Sequence, residues 1–254
     1  MAHNLTMKTT LLIIFLTACS SCFGQEEKLE TDRPDQTETS ATVPAGRFQM
    51  ENGFTHTNTE EHAYELMLPS TLSKFGITDK LEVRLTTNLI YSNVADSTAA
   101  GLEPVIVGFK VNLWEQKGLL PETSVIGEMI LPNVASKQYK LPYLAPEIQL
   151  LFSNKITDKF GIGYNFDIQW DGESPAPNYE YTLSPEIEVT DKISVFAELY
   201  GFIEEHTRTD NWADGGLKFF LNKNIQFDIA GGYELTGHNH FHRFYETVGF
   251  SFRI

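Results

Sequence analysis

The sequence predicts an all-β fold: a transmembrane antiparallel β-barrel of about twelve strands, with short periplasmic turns and longer extracellular loops. Three observations predict it. From about residue 46 to the C terminus, stretches of 10–13 residues alternate apolar and polar side chains, and such a period-2 pattern puts one set on each face of a strand. The connections between stretches are alternately short and long. Aromatic residues gather at the ends of the stretches, as they do where strands cross the two membrane interfaces.

The stretches fall at about 48–58, 63–75, 80–91, 102–114, 122–131, 142–155, 159–171, 178–190, 192–204, 211–221, 224–235 and 243–253. In one of them Ile162, Tyr164, Phe166 and Ile168 interleave with Gly163, Asn165, Asp167 and Gln169. Another sets Ile225, Phe227 and Ile229 against Gln226 and Asp228. Strands of this length exceed the 5–6 residues common in soluble proteins, which argues against a soluble β-sandwich. Tight hairpins are expected at Ile77–Lys80, Ile156–Lys159, Val189–Lys192 and Leu221–Asn224, where Asp, Asn, Thr and Lys supply turn chemistry. Longer polar connections are expected at 57–62, 92–101, 132–140, 172–178, 205–211 and 236–242. Tyr64, Tyr91, Trp170, Tyr179, Tyr181 and Trp212 fall at the outer strand ends, and Phe75, Trp114 and Phe160 at the inner ends, as two aromatic girdles.

Composition narrows the function. The 254 residues carry 34 acidic against 19 basic side chains, a formal charge of −15, which excludes nucleic acid as the main partner. After Met7, Lys8 and the apolar run Leu11–Ala18 form an export signal, with cleavage after Gly24 leaving Gln25 first. That reading divides the chain into a signal peptide (1–24), a periplasmic N-terminal segment or lumen plug (25–45) and an outer-membrane barrel (46–254). It also removes both cysteines. A rival reading takes Leu16–Cys19 as a lipobox, making the chain a lipoprotein acylated at Cys19.

Two sets of residues stand out as candidate sites. The segment before the first strand holds Asp32, Arg33, Asp35 and Glu38 around Pro34, too polar to lie in lipid. Its two readings are a plug paired with lumen charges, for which Arg84, Arg243 and Arg253 are the expected partners, and a solvated periplasmic lead-in. The alternation places Glu51, Glu65, Glu82, Glu128, Glu147, Asp167, Glu180, Glu186, Glu188, Glu198, Asp228 and Glu234 in the lumen. Arg84, Lys110, Lys218, Arg243 and Arg253 face them. Carboxylate rings favour cations, whereas paired charges would fill a small barrel as a structural core. His238, His240 and His242 alternate at the outer mouth and are weak candidates for a metal site. No cofactor and no catalytic residues are expected, because no serine–histidine pairing of an outer-membrane hydrolase stands out.

The residues also carry a family resemblance. Glu30–Glu38 and Val43–Glu51, then Gly118–Ser124, Tyr143–Glu147, Trp170–Pro175, Glu198–Phe202 and Gly249–Arg253, resemble the outer-membrane proteins grouped as the putative MetA-pathway of phenol degradation family. The resemblance spans nearly the whole mature chain. It implies a porin-like transporter in the cell outer membrane, surrounded by membrane lipid, with passive uptake of small, hydrophobic or aromatic solutes as its function. The aromatic-rich terminus Val248–Ile254 is itself like the signal read by the outer-membrane assembly machinery, the other expected partner. The alternative is a structural or surface-binding barrel with a blocked lumen.

Overall fold

The structure is a computed structural model that describes residues 28–60, 62–94, 97–204, 207–236 and 242–254. The expected leader, its cleavage site and Cys19 lie outside the described residues. Thirteen strands follow in chain order. They are β1 (Phe48–Glu60), β2 (Ala63–Thr78), β3 (Leu81–Val94), β4 (Ser97–Leu102), β5 (Val105–Trp114) and β6 (Glu122–Leu131), then β7 (Ala145–Lys155), β8 (Phe160–Gln169) and β9 (Asn178–Thr190). β10 (Ile193–Ile203), β11 (Asp210–Asn222), β12 (Ile225–Glu234) and β13 (Phe244–Arg253) complete the set. Every pairing is antiparallel, and β1 meets β13 from Gln49↔Arg253 to Asn58↔Phe244, so twelve strands close into a barrel. Closure leaves the twelve barrel strands without a free lateral edge.

The thirteenth strand is β4, which occupies the second half of the stretch 92–101 expected as a loop. It pairs with the outer end of β3, and β5 takes over the pairing with β3 from Thr86↔Ile106 inward. Pro104 has no N–H to give the ladder, so one long strand is interrupted there. Ser97-Thr98-Ala99-Ala100-Gly101 has too little contrast between its two faces for alternation to show.

The barrel is apolar outside and polar inside. On β8, Phe166 and Ile168 are 55% and 40% exposed, whereas Asn165 and Asp167 are 0% and 6% exposed. Burial on β12 alternates residue by residue from Ile225 to Glu234. Among the described residues no helix is long and apolar enough to cross a membrane.

Two side chains depart from simple alternation. A bulge at Leu68–Pro69, seen as a register shift between Met67 and Ser70, reverses the facing of the rest of β2 and turns Lys74 inward. Trp212, expected in the outer girdle, shares the inward parity of Lys218 and is buried, stacked on Tyr200 with ring centroids 6.0 Å apart. Its position at a strand end suggested an interface; the face of the strand decides otherwise.

Phe166→Arg is expected to cost about 2–4 kcal/mol near the bilayer midplane, and Asp167→Asn much less, as measured by refolding into lipid vesicles. Equal tolerance at the two positions would contradict this assignment of faces.

Candidate functional site in the lumen

Adjacent strands bring like charges together. Lys74 of β2 and Arg84 of β3 stand directly opposite one another, and the next rung of β3 opposes Glu82 to Lys110 of β5. Two cations about 5 Å apart repel by roughly 3 kcal/mol at an effective dielectric near 20. The segment entering from Lys28 supplies the counter-charge. Asp32 accepts from Lys74 Nζ at 2.6 Å, Arg84 Nη1 at 3.1 Å and Lys110 Nζ at 3.0 Å. Burial disfavours its ionisation, but Lys110, Lys74 and Arg84 outweigh that and hold the Asp32 carboxyl well below the usual carboxylate range. Glu51 adds a second anion on Lys74 and accepts the Asp32 backbone N–H at 3.0 Å. Gly108 lies opposite Arg84 on one side and Glu128 on the other, and a Cβ there would come within 2.5 Å of Glu128 Cγ. With glycine in that place Arg84 Nε reaches Glu128 Oε1 at 2.8 Å.

The rest of the segment is held in the same manner. Arg33 lies over the cross-strand pair Gly53 and Gly249, where an added Cβ would fall 1.9 and 2.6 Å from the guanidinium. Glycine in a strand interior marks such a close approach. From there Arg33 Nη2 donates to Asp228 at 3.0 Å and to Thr247 at 2.9 Å. Pro34 is buried. Asp35 pairs with Lys218 at 3.2 Å and accepts from Ser184 at 3.0 Å; burial, only partly offset by Lys218, pushes its carboxyl up. Glu198 accepts the backbone N–H groups of Gln36 and Thr37, both at 2.7 Å, and Glu82 accepts that of Val43 at 2.6 Å.

Toward the turns, Lys28 pairs with Glu188 at 2.7 Å and Lys218 with Glu186 at 2.8 Å. A void of about 500 Å³ opens there between the segment and the β7–β10 wall. Toward the outer end, Gln149, Asp167 and Glu180 form one rung across β7, β8 and β9. Each has a buried side-chain oxygen with no hydrogen-bond partner among the described residues. Glu147 accepts from Gln149 Nε2 at 2.7 Å.

Of the arginines expected to meet the segment, Arg84 binds Asp32 and Glu38. Arg243 lies at the outer end, bonded to Asp210 and Glu234 and 5.2 Å above the Trp212 ring. Arg253 donates to Asn224 at the opposite end. Lys74 is the central residue that sequence reasoning misses, because strict alternation from Tyr64, Leu66 and Leu68 puts it on the lipid face. Pro69 in mid-strand is the available signal for the bulge. His238 and His240 lie outside the described residues. His242 Nδ1 bonds to the Glu234 carbonyl at 2.8 Å, and its ring stacks on Tyr233 at 5.2 Å. No group of three or more His, Cys, Asp or Glu among the described residues is placed to hold a metal.

Glu38 binds Arg84 Nη2 at 2.7 Å, with Lys110, Glu82, Asp32 and Glu128 around Arg84 and Asn165 against its backbone. Burial raises its pKa from 4.5 to about 8; Arg84 opposes the shift, but it is shared among four carboxylates. A raised pKa means the protonated form favours the docked segment. That contribution is complete below about 4.5 and is lost as pH rises through about 8. Protease access to residues 28–45 is expected to increase between pH 7 and 9, and Glu38→Gln to flatten the increase; an unchanged increase in Glu38→Gln would exclude this group. Asp32→Asn leaves three buried cations short of an anion and is expected to weaken docking by on the order of 3–5 kcal/mol. Arg33→Ala should cost about 1.5–3 kcal/mol. The same protease assay ranks them.

The profile of the family described as "Putative MetA-pathway of phenol degradation" matches residues 31–254. Among solved structures, an outer membrane channel of the COG4313 group from Pseudomonas putida F1 superposes with a TM-score of 0.68 at 11% identity, covering 89% of this chain and 100% of that one. The NanC porin does so with a TM-score of 0.51 at 13% identity, over 82% and 100% of the two chains. The KdgM porin gives 0.50 at 12% identity, over 80% and 98%. No curated protein sequence matches the chain.

Proposed function

The chain belongs to the family of the putative MetA-pathway of phenol degradation, and from that premise we propose that it is an outer-membrane channel through which small solutes enter passively. The carrying observation is the polar lumen: a closed barrel whose interior is lined by ionisable groups and keeps a void of about 500 Å³ at one end. An apolar, fully packed interior would have argued for a purely structural barrel. The family description adds small apolar or aromatic compounds to the candidate solutes. The three solved structures named above are channels and porins.

Residues 25–45 act as a plug in this reading, fixed by the Asp32 cluster and by Arg33 on Asp228. The aromatic C-terminal strand, ending Phe250-Ser251-Phe252-Arg253, serves as the signal read by the outer-membrane assembly machinery. A second reading, a surface-binding or structural barrel with a permanently blocked lumen, draws on the same buried ion pairs.

Planar-bilayer recording separates the two. Deleting residues 25–45 is expected to raise conductance in a barrel that still shows heat-modifiable gel mobility, and Arg33→Ala to raise it partially. The excess of lumen carboxylates should favour cations, a preference that weakens as salt shortens the reach of each charge. No conductance in the folded deletion variant would favour the blocked barrel, and anion preference in a salt gradient would contradict the electrostatic reading.

A further inference from the structure

The segment meets the β1–β5 side of the barrel through buried ion pairs, while on the other side it touches β8–β10 through Lys28 and the corner Asp35–Glu38 and leaves a void toward the turns. On β1–β5 the inward positions carry Gln49, Lys74, Glu82 and Lys110, all fully or almost fully buried against it. At comparable distances from their turns, β7–β10 present Ser153, Gly161, Gly163, Ser184 and Ser194, and the void lies along them. A Cβ at Gly161 would meet only Asn154 O, at 3.5 Å, so the space there is open.

The inner end of this void is roofed by the corner Asp35–Glu38. Thr37 Oγ1 bonds to Thr182 Oγ1 at 2.7 Å. In the amide orientation that satisfies both groups, Asn165 accepts from Glu38 N at 2.7 Å and donates to Glu38 O at 3.3 Å. Beyond the roof, the same strands carry the rung Gln149, Asp167 and Glu180. Its three unpartnered oxygens are acceptors only, apart from any proton the acids hold. Buried acceptors without donors are costly unless something supplies donors to them. A carboxamide oxygen among them shows that the rung is more than a set of repelling acids.

We infer that the inner strip of β7–β9 is the solute track, that the Thr37–Glu38 corner is its gate, and that it passes small solutes able to satisfy acceptor oxygens, cations by coordination and sugars by hydrogen-bond donation, while the Asp32 cluster stays in place. The inference rests on the channel reading above and adds the route and the chemical class to it. Lifting the corner breaks the hydrogen bonds to Thr182 and Asn165, the contacts to Glu198 and the Glu38–Arg84 ion pair, whereas ejecting the whole segment would in addition strip Lys74, Arg84 and Lys110 of their shared anion Asp32. The smaller movement is the favoured one.

A Thr37→Cys/Thr182→Cys pair tests the gate in the full mature chain, since both native cysteines, Cys19 and Cys22, lie in the expected leader. Oxidation, verified by mass, should lower potassium current and arabinose flux at least tenfold relative to the reduced protein, and reduction should restore them. Gly161→Phe, which needs no cross-link, should fill the void and lower both fluxes at least fivefold. Equal flux in oxidised and reduced protein, or wild-type flux in Gly161→Phe, would overturn the track. If the intact barrel is silent and the barrel lacking residues 25–45 conducts, the segment is a complete seal and this inference fails while the channel reading stands. If neither conducts, the channel reading fails as well.

Discussion

The structure turns on the placement of three cations, Lys74, Arg84 and Lys110, on neighbouring inward positions of β2, β3 and β5. Each is buried, and two of them stand directly opposite one another. Such a wall is unfavourable alone, because unpaired buried charges cost several kcal/mol each. Asp32 relieves it by touching all three. The polar segment thus completes the charge balance that Glu51, Glu82 and Glu128 begin on the β1–β5 half of the barrel, and Asp32 together with Arg33 on Asp228 fixes its path inside the lumen.

Glycines and a bulge prepare the space for this arrangement. The bulge at Leu68–Pro69 brings Lys74 inward, Gly53 and Gly249 leave a flat bed for the Arg33 guanidinium, and Gly108 lets Arg84 reach Glu128. Small residues on β7–β10 have the opposite consequence. There they leave a void, and the segment spans it through the contacts of Asp35 to Glu38. One face of the segment is therefore tied by ion pairs and the other mainly by hydrogen bonds, and these two kinds of contact differ in how easily they break.

At 11–13% identity the chain shares its barrel with the COG4313 channel and two porins. What a barrel requires of a sequence is alternation, paired edges and short turns at one end, and many residue choices meet those requirements. Function is more demanding, since it rests on which inward positions carry charge and which carry nothing. Those positions belong to this chain and are the ones that the proposals above address.

Much of the barrel was legible from periodicity alone: twelve stretches, tight turns around Asp79, Asp158, Asp191 and Asn222, and the inward facing of Asp167 and Asp228 all follow from a period of two, which needs no knowledge of neighbouring strands. The charged segment before β1 was legible as a group of residues unsuited to lipid. Lys74 and Trp212 were not placed correctly, since a bulge resets the facing of a strand and a strand end has two faces. The partners of Asp32 and Arg33 were equally hidden. They lie on strands 19 to 214 positions away in the chain, and only closure of the barrel, with its particular register, brings them within hydrogen-bonding distance. Sequence determines the faces of each strand because facing is a local property; which charges meet across the lumen is decided by tertiary structure, because register and closure are not.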